Sequence, residues 1–256
     1  MLIINSGPFM KKIKLFCFPY AGGAAMVYSK WKQYVDHQIE LRAVELAGRG
    51  KRIMEPMYKD VNELTDDVFG SIKEEISTAP YALFGHSMGS LIAYSLAQRI
   101  RKERMPPPVH IFFSGGNAPH IKKPNEKKYH LLSDEAFKTE VVKLGGTPPG
   151  LFDHPELLHF FLPLLKNDFK IAETGLAGDE MAPLDCNITI FLGKEDELTA
   201  GHGEGWRTHT NQTCCIHEFE GGHFFLLDET EQIVRIINNS FNGKSASTVH
   251  EVQYPC

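Results

Sequence analysis

The pentapeptide Gly85-His86-Ser87-Met88-Gly89 constrains this chain more than any other stretch. A short apolar run, Tyr81-Ala82-Leu83-Phe84, precedes it and reads as a buried strand; an apolar-rich segment over 88–100 follows and reads as a helix. A serine in G-x-S-x-G at a strand-to-helix turn is held in a strained backbone conformation, and a Cβ two residues to either side would collide, so glycines take those places. Such a turn pushes the Ser87 hydroxyl out above the sheet. It also leaves the Met88 N–H, at the helix N-terminus, free to stabilise an oxyanion. A Gly-rich loop that merely contains serine would require neither the strand before it nor the helix after it.

The remaining segments repeat the strand–helix alternation. Ile13-Lys14-Leu15-Phe16-Cys17-Phe18 is strand-like and is stopped by Pro19, and the following Tyr20-Ala21-Gly22-Gly23 lets backbone approach a ligand closely. A helix is expected next, with Trp31, Tyr34 and Val35 on one face. A second strand is expected over 40–46, closed by Ala47-Gly48-Arg49-Gly50. Arg49, Lys51 and Arg52 read as a solvated loop in preference to a phosphate-facing patch. Apolar residues at 61, 64, 68, 69, 72 and 76 lie on one helical face. Met105-Pro106-Pro107-Pro108 ends the helix after Ser87, and strands are expected over 109–113, 187–193 and 215–219, with a final helix over 229–241. This pattern predicts an α/β fold with a mainly parallel, doubly wound sheet.

Residues 118–182 break the rhythm and carry no convincing strand. Ser133-Asp134-Glu135-Ala136 starts a helix that Gly145-Gly146 stops, Thr147-Pro148-Pro149-Gly150 reads as a loop, and 157–172 is richer in Leu and Phe than one buried face requires. The segment is expected to be a helical insertion lying over the C-terminal edge of the sheet, a lid with Leu158, Phe160, Phe161, Leu164 and Leu165 available to line an acyl pocket or its entrance. An ordinary packed helical subdomain is the competing reading.

Bulk properties exclude more than they identify. A chain of 256 residues suits one large domain spanning 1–256. The formal charge of −5 points to neither nucleic acid nor an anionic membrane surface. Five cysteines form no zinc spacing and no C-x-x-C, and their odd number with the adjacent Cys214-Cys215 suits a reducing cytoplasm. Met10-Lys11-Lys12 ahead of apolar residues imitates a signal peptide, but Lys14 and Pro19 interrupt that run and a strand is the better reading. No stretch reaches the roughly 18 apolar residues of a membrane span. Residues 1–9 read as an extension outside the pattern, 242–256 as a frayed polar tail, and nothing demands more than a monomer.

Serine is a weak nucleophile at neutral pH and needs a histidine to take its proton and an acid to orient the imidazole. In this architecture the order along the chain is Ser, acid, His. Of twelve histidines, His223 follows the last strand in a Gly-Gly turn, and Asp196 follows the penultimate strand, between Glu195 and Glu197, which could be mistaken for it. The oxyanion hole is expected to pair the Met88 N–H with one from the loop after the first strand, for which Ala21 is the candidate.

These residues resemble the type II thioesterases, free-standing α/β-hydrolases that serve nonribosomal peptide and polyketide synthetases. Phe18-Pro19-Tyr20-Ala21-Gly22-Gly23 is similar to that family's opening loop and Phe84-Gly85-His86-Ser87-Met88-Gly89 to its elbow. Leu144-Gly145-Gly146-Thr147-Pro148 and Phe161-Leu162-Pro163 resemble its lid segments, and Gly222-His223-Phe224-Phe225-Leu226 its histidine turn. Ala47 stands where the family often has proline, a departure that touches no catalytic candidate. The resemblance implies an α/β-hydrolase fold and hydrolysis of acyl or aminoacyl groups from the phosphopantetheine arm of acyl or peptidyl carrier proteins, clearing misprimed or stalled synthetase modules. It implies no metal and no cofactor beyond the arm that the substrate carries. A small esterase or lipase acting on free substrates is the alternative within the fold; a non-catalytic module that only docks to carriers is the alternative outside enzymes.

Overall fold

The computed structural model describes residues 11–121, 127–146, 150–175, 181–199 and 202–242. The expectations for 1–9, for the loop at 147–149 and for nearly all of the tail at 242–256 fall outside these residues.

Six strands form one sheet: β1 (Ile13–Phe18), β2 (Ile39–Ala43), β3 (Tyr81–His86), β4 (His110–Ser114), β5 (Asn187–Gly193) and β6 (Cys214–Phe219). Their order is β2-β1-β3-β4-β5-β6, and every adjacent pair is parallel. All strand C-termini therefore point to one edge of the sheet. The order reverses between β1 and β3, because β2 lies on one side of β1 and all later strands on the other. A crevice opens outside the strand ends at such a switch point. The β1–β3 register, Phe18 beside Gly85, sets the loop after β1 against the turn carrying Ser87.

The interior strands β3 and β4 are buried at every position, whereas the edge strand β2 becomes exposed toward its end. Continuous apolar strands are what a sheet covered on both faces requires. On one face lie α1 (Val61–Thr78) and α2 (Met88–Lys102). Val61, Leu64, Val68, Ile72 and Ile76 of α1 pack into the same cluster as Ile92, Leu96 and Ile100 of α2. Asp60 caps α1 by accepting from the Asn62 and Glu63 N–H groups. Each fully buried Ile or Leu contributes about 1.5–3 kcal/mol, so the stripe at 61, 64, 68, 72 and 76 anchors α1 far more than its cap does. On the other face, Tyr28 and Trp31 pack with Ile233, Val234 and Ile237.

Between β4 and β5 the described residues include two helices, α3 (Asp134–Leu144) and α4 (Pro155–Thr174). Ser133 accepts from the Ala136 N–H at the start of α3, and Gly145 closes it with φ of +88°. After β6 come the short α5 (Phe225–Asp228), which the sequence reading did not foresee, and α6 (Thr230–Asn239), the final helix expected over 229–241.

Two local expectations are corrected. The helix after β1 is a 3-10 stretch, Ala25–Gln33, that buries Tyr28 and Trp31 at three-residue spacing and leaves Tyr34 and Val35 beyond its end. The Tyr28 hydroxyl donates to the Phe18 carbonyl at 2.6 Å, tying the stretch to the end of β1. The second strand stops at Ala43 because β1, its neighbour in the sheet, ends at Phe18; farther on, the Ala47 N–H donates to the Tyr58 hydroxyl at 2.9 Å.

His110 in β4 is buried, and its Nε2 lies 2.8 Å from the Thr189 hydroxyl. Burial lowers its pKa to about 4. Between about pH 6.5 and about pH 4 the unfolded chain binds a proton at this site and the folded chain does not, so stability falls with pH by about 1.4 kcal/mol per unit. Urea unfolding at pH 7 and pH 5 should show this loss, and His110→Gln should shrink it. An unchanged pH dependence in His110→Gln would refute the assignment. Among the described residues, no helix is long and apolar enough to cross a membrane.

Candidate active site

Ser87 sits between β3 and α2 with φ of +56° and ψ of −116°, a conformation that side chains rarely adopt. Both flanking glycines are sterically required. A Cβ on Gly85 would stand 1.9 Å from the Gly89 carbonyl oxygen, and one on Gly89 would stand 2.2 Å from the Phe18 carbonyl oxygen. The turn is held from the neighbouring strand: the Ser87 N–H donates to the Ser114 carbonyl at 2.8 Å. The Ser90 hydroxyl lies 2.8 Å from the Gly85 carbonyl and 2.9 Å from that of Ser114, sharing its proton, and accepts the Ser114 N–H at 3.1 Å.

His223 Nε2 is 2.9 Å from Ser87 Oγ, and His223 Nδ1 is 2.9 Å from Asp196 Oδ2. The β5–β6 register explains how an acid and a histidine on separate turns meet. Gly193 pairs with Phe219, after which the Lys194 N–H donates to the Phe219 carbonyl and the Glu195 N–H to that of Gly221. Asp196 is 1 % exposed, while Glu195 and Glu197 are exposed. Its carboxylate also accepts from the Leu198 N–H at 2.9 Å and the Thr199 hydroxyl at 2.8 Å. Burial by itself would raise the Asp196 pKa; the hydrogen bonds from His223, Thr199 and Leu198 outweigh it and hold the group below its usual value. An ionised carboxylate only accepts, so the proton on His223 sits on Nδ1 and the free Nε2 lone pair faces the serine hydroxyl.

A second imidazole backs the first. The His86 ring centroid is 5.2 Å from that of His223, and its Nδ1 is 2.9 Å from the Ser114 hydroxyl. Burial, and then the adjacent His223, push the His86 pKa well below the ordinary value, so this ring is neutral and adds no charge beside the relay.

Met88 opens α2, so its N–H has no intrahelical acceptor. In the loop after β1, the Gly22 N–H is taken by Asp168 Oδ2 at 2.7 Å, whereas the Ala21 N–H has no protein acceptor among the described residues. Arg49 corrects the expectation of a solvated loop. It is 4 % exposed and grips Asp168, itself 0 % exposed, through Nη1 to Oδ2 at 2.7 Å and Nη2 to Oδ1 at 2.8 Å. Arg52 is half-buried and pairs with Asp67 and Glu55; Lys51 is exposed, as expected.

The five apolar candidates of the helical segment separate. Phe161 and Leu165 lie against the loop after β1, since a Cβ on Gly22 would stand 2.7 Å from Leu165 Cδ1 and 3.0 Å from Phe161 Cζ. Leu158 joins the same cluster, which also touches Ala21. Leu164 is buried beside Gly48. Phe160 is 72 % exposed, because one residue along a helix turns about 100° and carries it off the inner stripe. The ring of Phe224 lies where a Cβ on Gly146 would fall, joining the helical segment to the histidine turn.

Sequence reasoning missed Ser90, Thr199, Arg49 and Asp168. The last two carried a faint signal, a charge in a Leu/Phe-rich helix and an arginine between two glycines, but nothing in sequence paired them. Among the described residues no group of three or more His, Cys, Asp or Glu is placed to hold a metal ion. A cleft of about 590 Å³ between β2 and α1 is lined by Arg42, Arg52, Asp67 and Glu75, which pair among themselves or with neighbours, and it contains no residue of the serine site.

The thioesterase domain family matches residues 13–241. A linear gramicidin dehydrogenase, LgrE, of Brevibacillus parabrevis is 38 % identical over 236 residues, covering 91 % of this chain and 89 % of that one. The structure of ClbQ from the colibactin NRPS/PKS pathway superposes with a TM-score of 0.84 at 34 % identity, over 90 % of this chain and 97 % of ClbQ. The type II thioesterase BorB from the borrelidin biosynthetic cluster does so with a TM-score of 0.80 at 31 % identity, over 91 % and 94 % of the two chains.

Proposed function

The chain belongs to the thioesterase domain family, and from that premise we propose that it is a type II thioesterase, hydrolysing acyl and aminoacyl thioesters from the phosphopantetheine arm of carrier proteins in a peptide or polyketide synthetase. The observation that carries the reading is the hydrogen-bonded series Ser87–His223–Asp196, with both links at 2.9 Å, beneath a strained serine turn. Ser87 Oγ attacks the thioester carbonyl as His223 Nε2 takes its proton. The Met88 and Ala21 N–H groups hold the oxyanion. Collapse breaks the carbon–sulfur bond, and His223 returns the proton to the departing thiolate. Water then attacks the acyl-serine, giving its proton to His223, which restores Ser87 as the acid leaves. Asp196 stays ionised throughout and steadies the imidazolium.

The helical segment 118–182 acts in this reading as a lid within one domain, with Phe161 and Leu165 bordering the acyl path where they meet the oxyanion loop. No step calls for a metal or a resident cofactor. The dehydrogenase name of the Brevibacillus relative finds no support in this sequence, which contains no G-x-G-x-x-G dinucleotide turn.

One triad could cleave many thioesters, so specificity must come from binding energy remote from the carbonyl. An acyl group is therefore expected to be cleaved at least about tenfold more efficiently from a carrier protein than from coenzyme A, a difference of about 1.4 kcal/mol in the transition state. Steady-state kcat/KM on both supports, for acetyl and for longer chains, measures this. Equal efficiency would favour a small esterase acting on free substrates. Loss of chain-length discrimination in Phe161→Ser would support the lid; unchanged discrimination would count against it.

A further inference from the structure

The loop that carries Ala21 is held by two buried charges that lie outside the Ser87–His223–Asp196 series. Gly22 and Gly23 are the two residues after Ala21. The Gly23 N–H closes a turn onto the Tyr20 carbonyl at 2.9 Å. That carbonyl shares a peptide plane with the Ala21 N–H, and in a trans peptide the two point in opposite directions. Whatever holds the Gly23 turn therefore sets the direction of the Ala21 N–H. Two side chains hold it. Asp168 Oδ2 accepts the Gly22 N–H at 2.7 Å, and Arg49 Nη1 donates to the Gly23 carbonyl at 3.1 Å. Arg49 and Asp168 are joined to each other by a two-pronged ion pair. Arg49 Nε also reaches the Ala47 carbonyl at 3.4 Å.

A buried ion pair is a poor device for stability alone, since apolar residues of similar volume often do as well or better. What apolar residues cannot do is grip one N–H and one carbonyl of the same turn. Asp168 lies on α4, so the grip comes from the helical segment above the sheet.

On the basis of the serine-hydrolase reading above, we infer that Asp168 and Arg49 are positioning residues that orient the Ala21 N–H for the tetrahedral intermediate, and that the oxyanion hole is complete only while α4 is seated. Losing one oxyanion donor outright costs about 10²–10³ in kcat; misdirecting one should cost about 10- to 100-fold. The pair should leave KM nearly unchanged, because the ground-state carbonyl depends less on the hole than the oxyanion does.

The test compares the wild type with Asp168→Asn and with the double variant Arg49→Met/Asp168→Leu, using one acyl-coenzyme A. Each is assayed well below its own Tm, with folding followed by circular dichroism. Asp168→Asn preserves shape and one acceptor but strands the arginine charge. The double variant removes both charges together and so avoids an unpaired one. The expected result is that both lose about 10- to 100-fold in kcat with KM within about twofold. The double variant should do so even where its Tm matches the wild type, and the pH dependence of kcat/KM should stay in place because the His223 relay is untouched. A folded double variant with wild-type kcat would overturn the inference and reduce the pair to a structural role. A KM rise with kcat unchanged would overturn it as well. A wild type inactive on thioesters would refute the function itself, an outcome visible before either variant is assayed.

Discussion

Ser87→Ala is expected to lower thioester hydrolysis by about 10⁶-fold while leaving the fold and Tm nearly unchanged. The hydroxyl supplies the attacking oxygen, and nothing else within reach of His223 Nε2 replaces it. The exchange removes one oxygen from a half-buried side chain and keeps the strained backbone, with φ of +56°, that the surrounding elements impose. His223→Ala should be as severe, and the double variant scarcely worse than either single one, because a relay fails as a unit. Hydrolysis of an acyl-coenzyme A with purified variants decides the matter, alongside labelling by a fluorophosphonate probe. Turnover near that of the wild type in Ser87→Ala would remove Ser87 as nucleophile. Failure of the wild type to label would favour a docking module without catalysis.

Asp196→Asn should cost about 10⁴ in kcat with the geometry intact. Asp196 accepts three hydrogen bonds, from His223, the Leu198 N–H and the Thr199 hydroxyl. An amide offers one accepting oxygen and an NH₂. Turned so that its oxygen keeps the Leu198 N–H, it presents NH₂ where Oδ2 stood, to His223 Nδ1 and the Thr199 hydroxyl. The imidazole proton then moves to Nε2 and faces Ser87, where no base is left. Because these bonds hold the Asp196 pKa below its usual value, the carboxylate adds stability above the unfolded-state pKa of about 4 and loses it only as pH falls through the lower folded value. Asp196→Asn should therefore flatten acid unfolding in that range. Glu195→Gln and Glu197→Gln, at exposed positions, should keep turnover within about twofold. If either proved more damaging than Asp196→Asn, the acid has been misassigned.

The residues legible in sequence are those whose chemistry is local. The Ser87 turn announces itself because Gly85 is forced by the start of the helix that follows it, although Gly89 is forced from farther along the chain, by the backbone of Phe18 and Pro19. The strand–helix alternation was readable because each strand carries its own apolar run, and the interior strands are buried on both faces. His223 and Asp196 were legible by a weaker argument, their places after the last two strands, which a parallel sheet brings to one edge.

Boundaries were less legible where backbone partners decide them. Val44 still donates to Cys17, yet β2 is already over at Ala43, because the neighbouring β1 ends at Phe18. The 3-10 stretch at Ala25–Gln33 is imposed by packing Tyr28 and Trp31 against Phe84, contacts absent from local propensity.

Sequence by itself determined the chain's layered architecture and singled out Ser87, His223 and Asp196 as the proposed nucleophile, base and acid, since each follows from short-range pattern and chain order. Tertiary structure alone decided what aims them. Thr199 and Leu198 fix the acid, Ser114 and Ser90 fix the elbow, and Arg49 meets Asp168 across 119 positions of chain to hold the loop beside Ala21. In sequence, Arg49 is one more surface-like cation and Asp168 one more helix acid. Only burial, by stripping water from both, makes each require the other and gives their shared geometry its consequence.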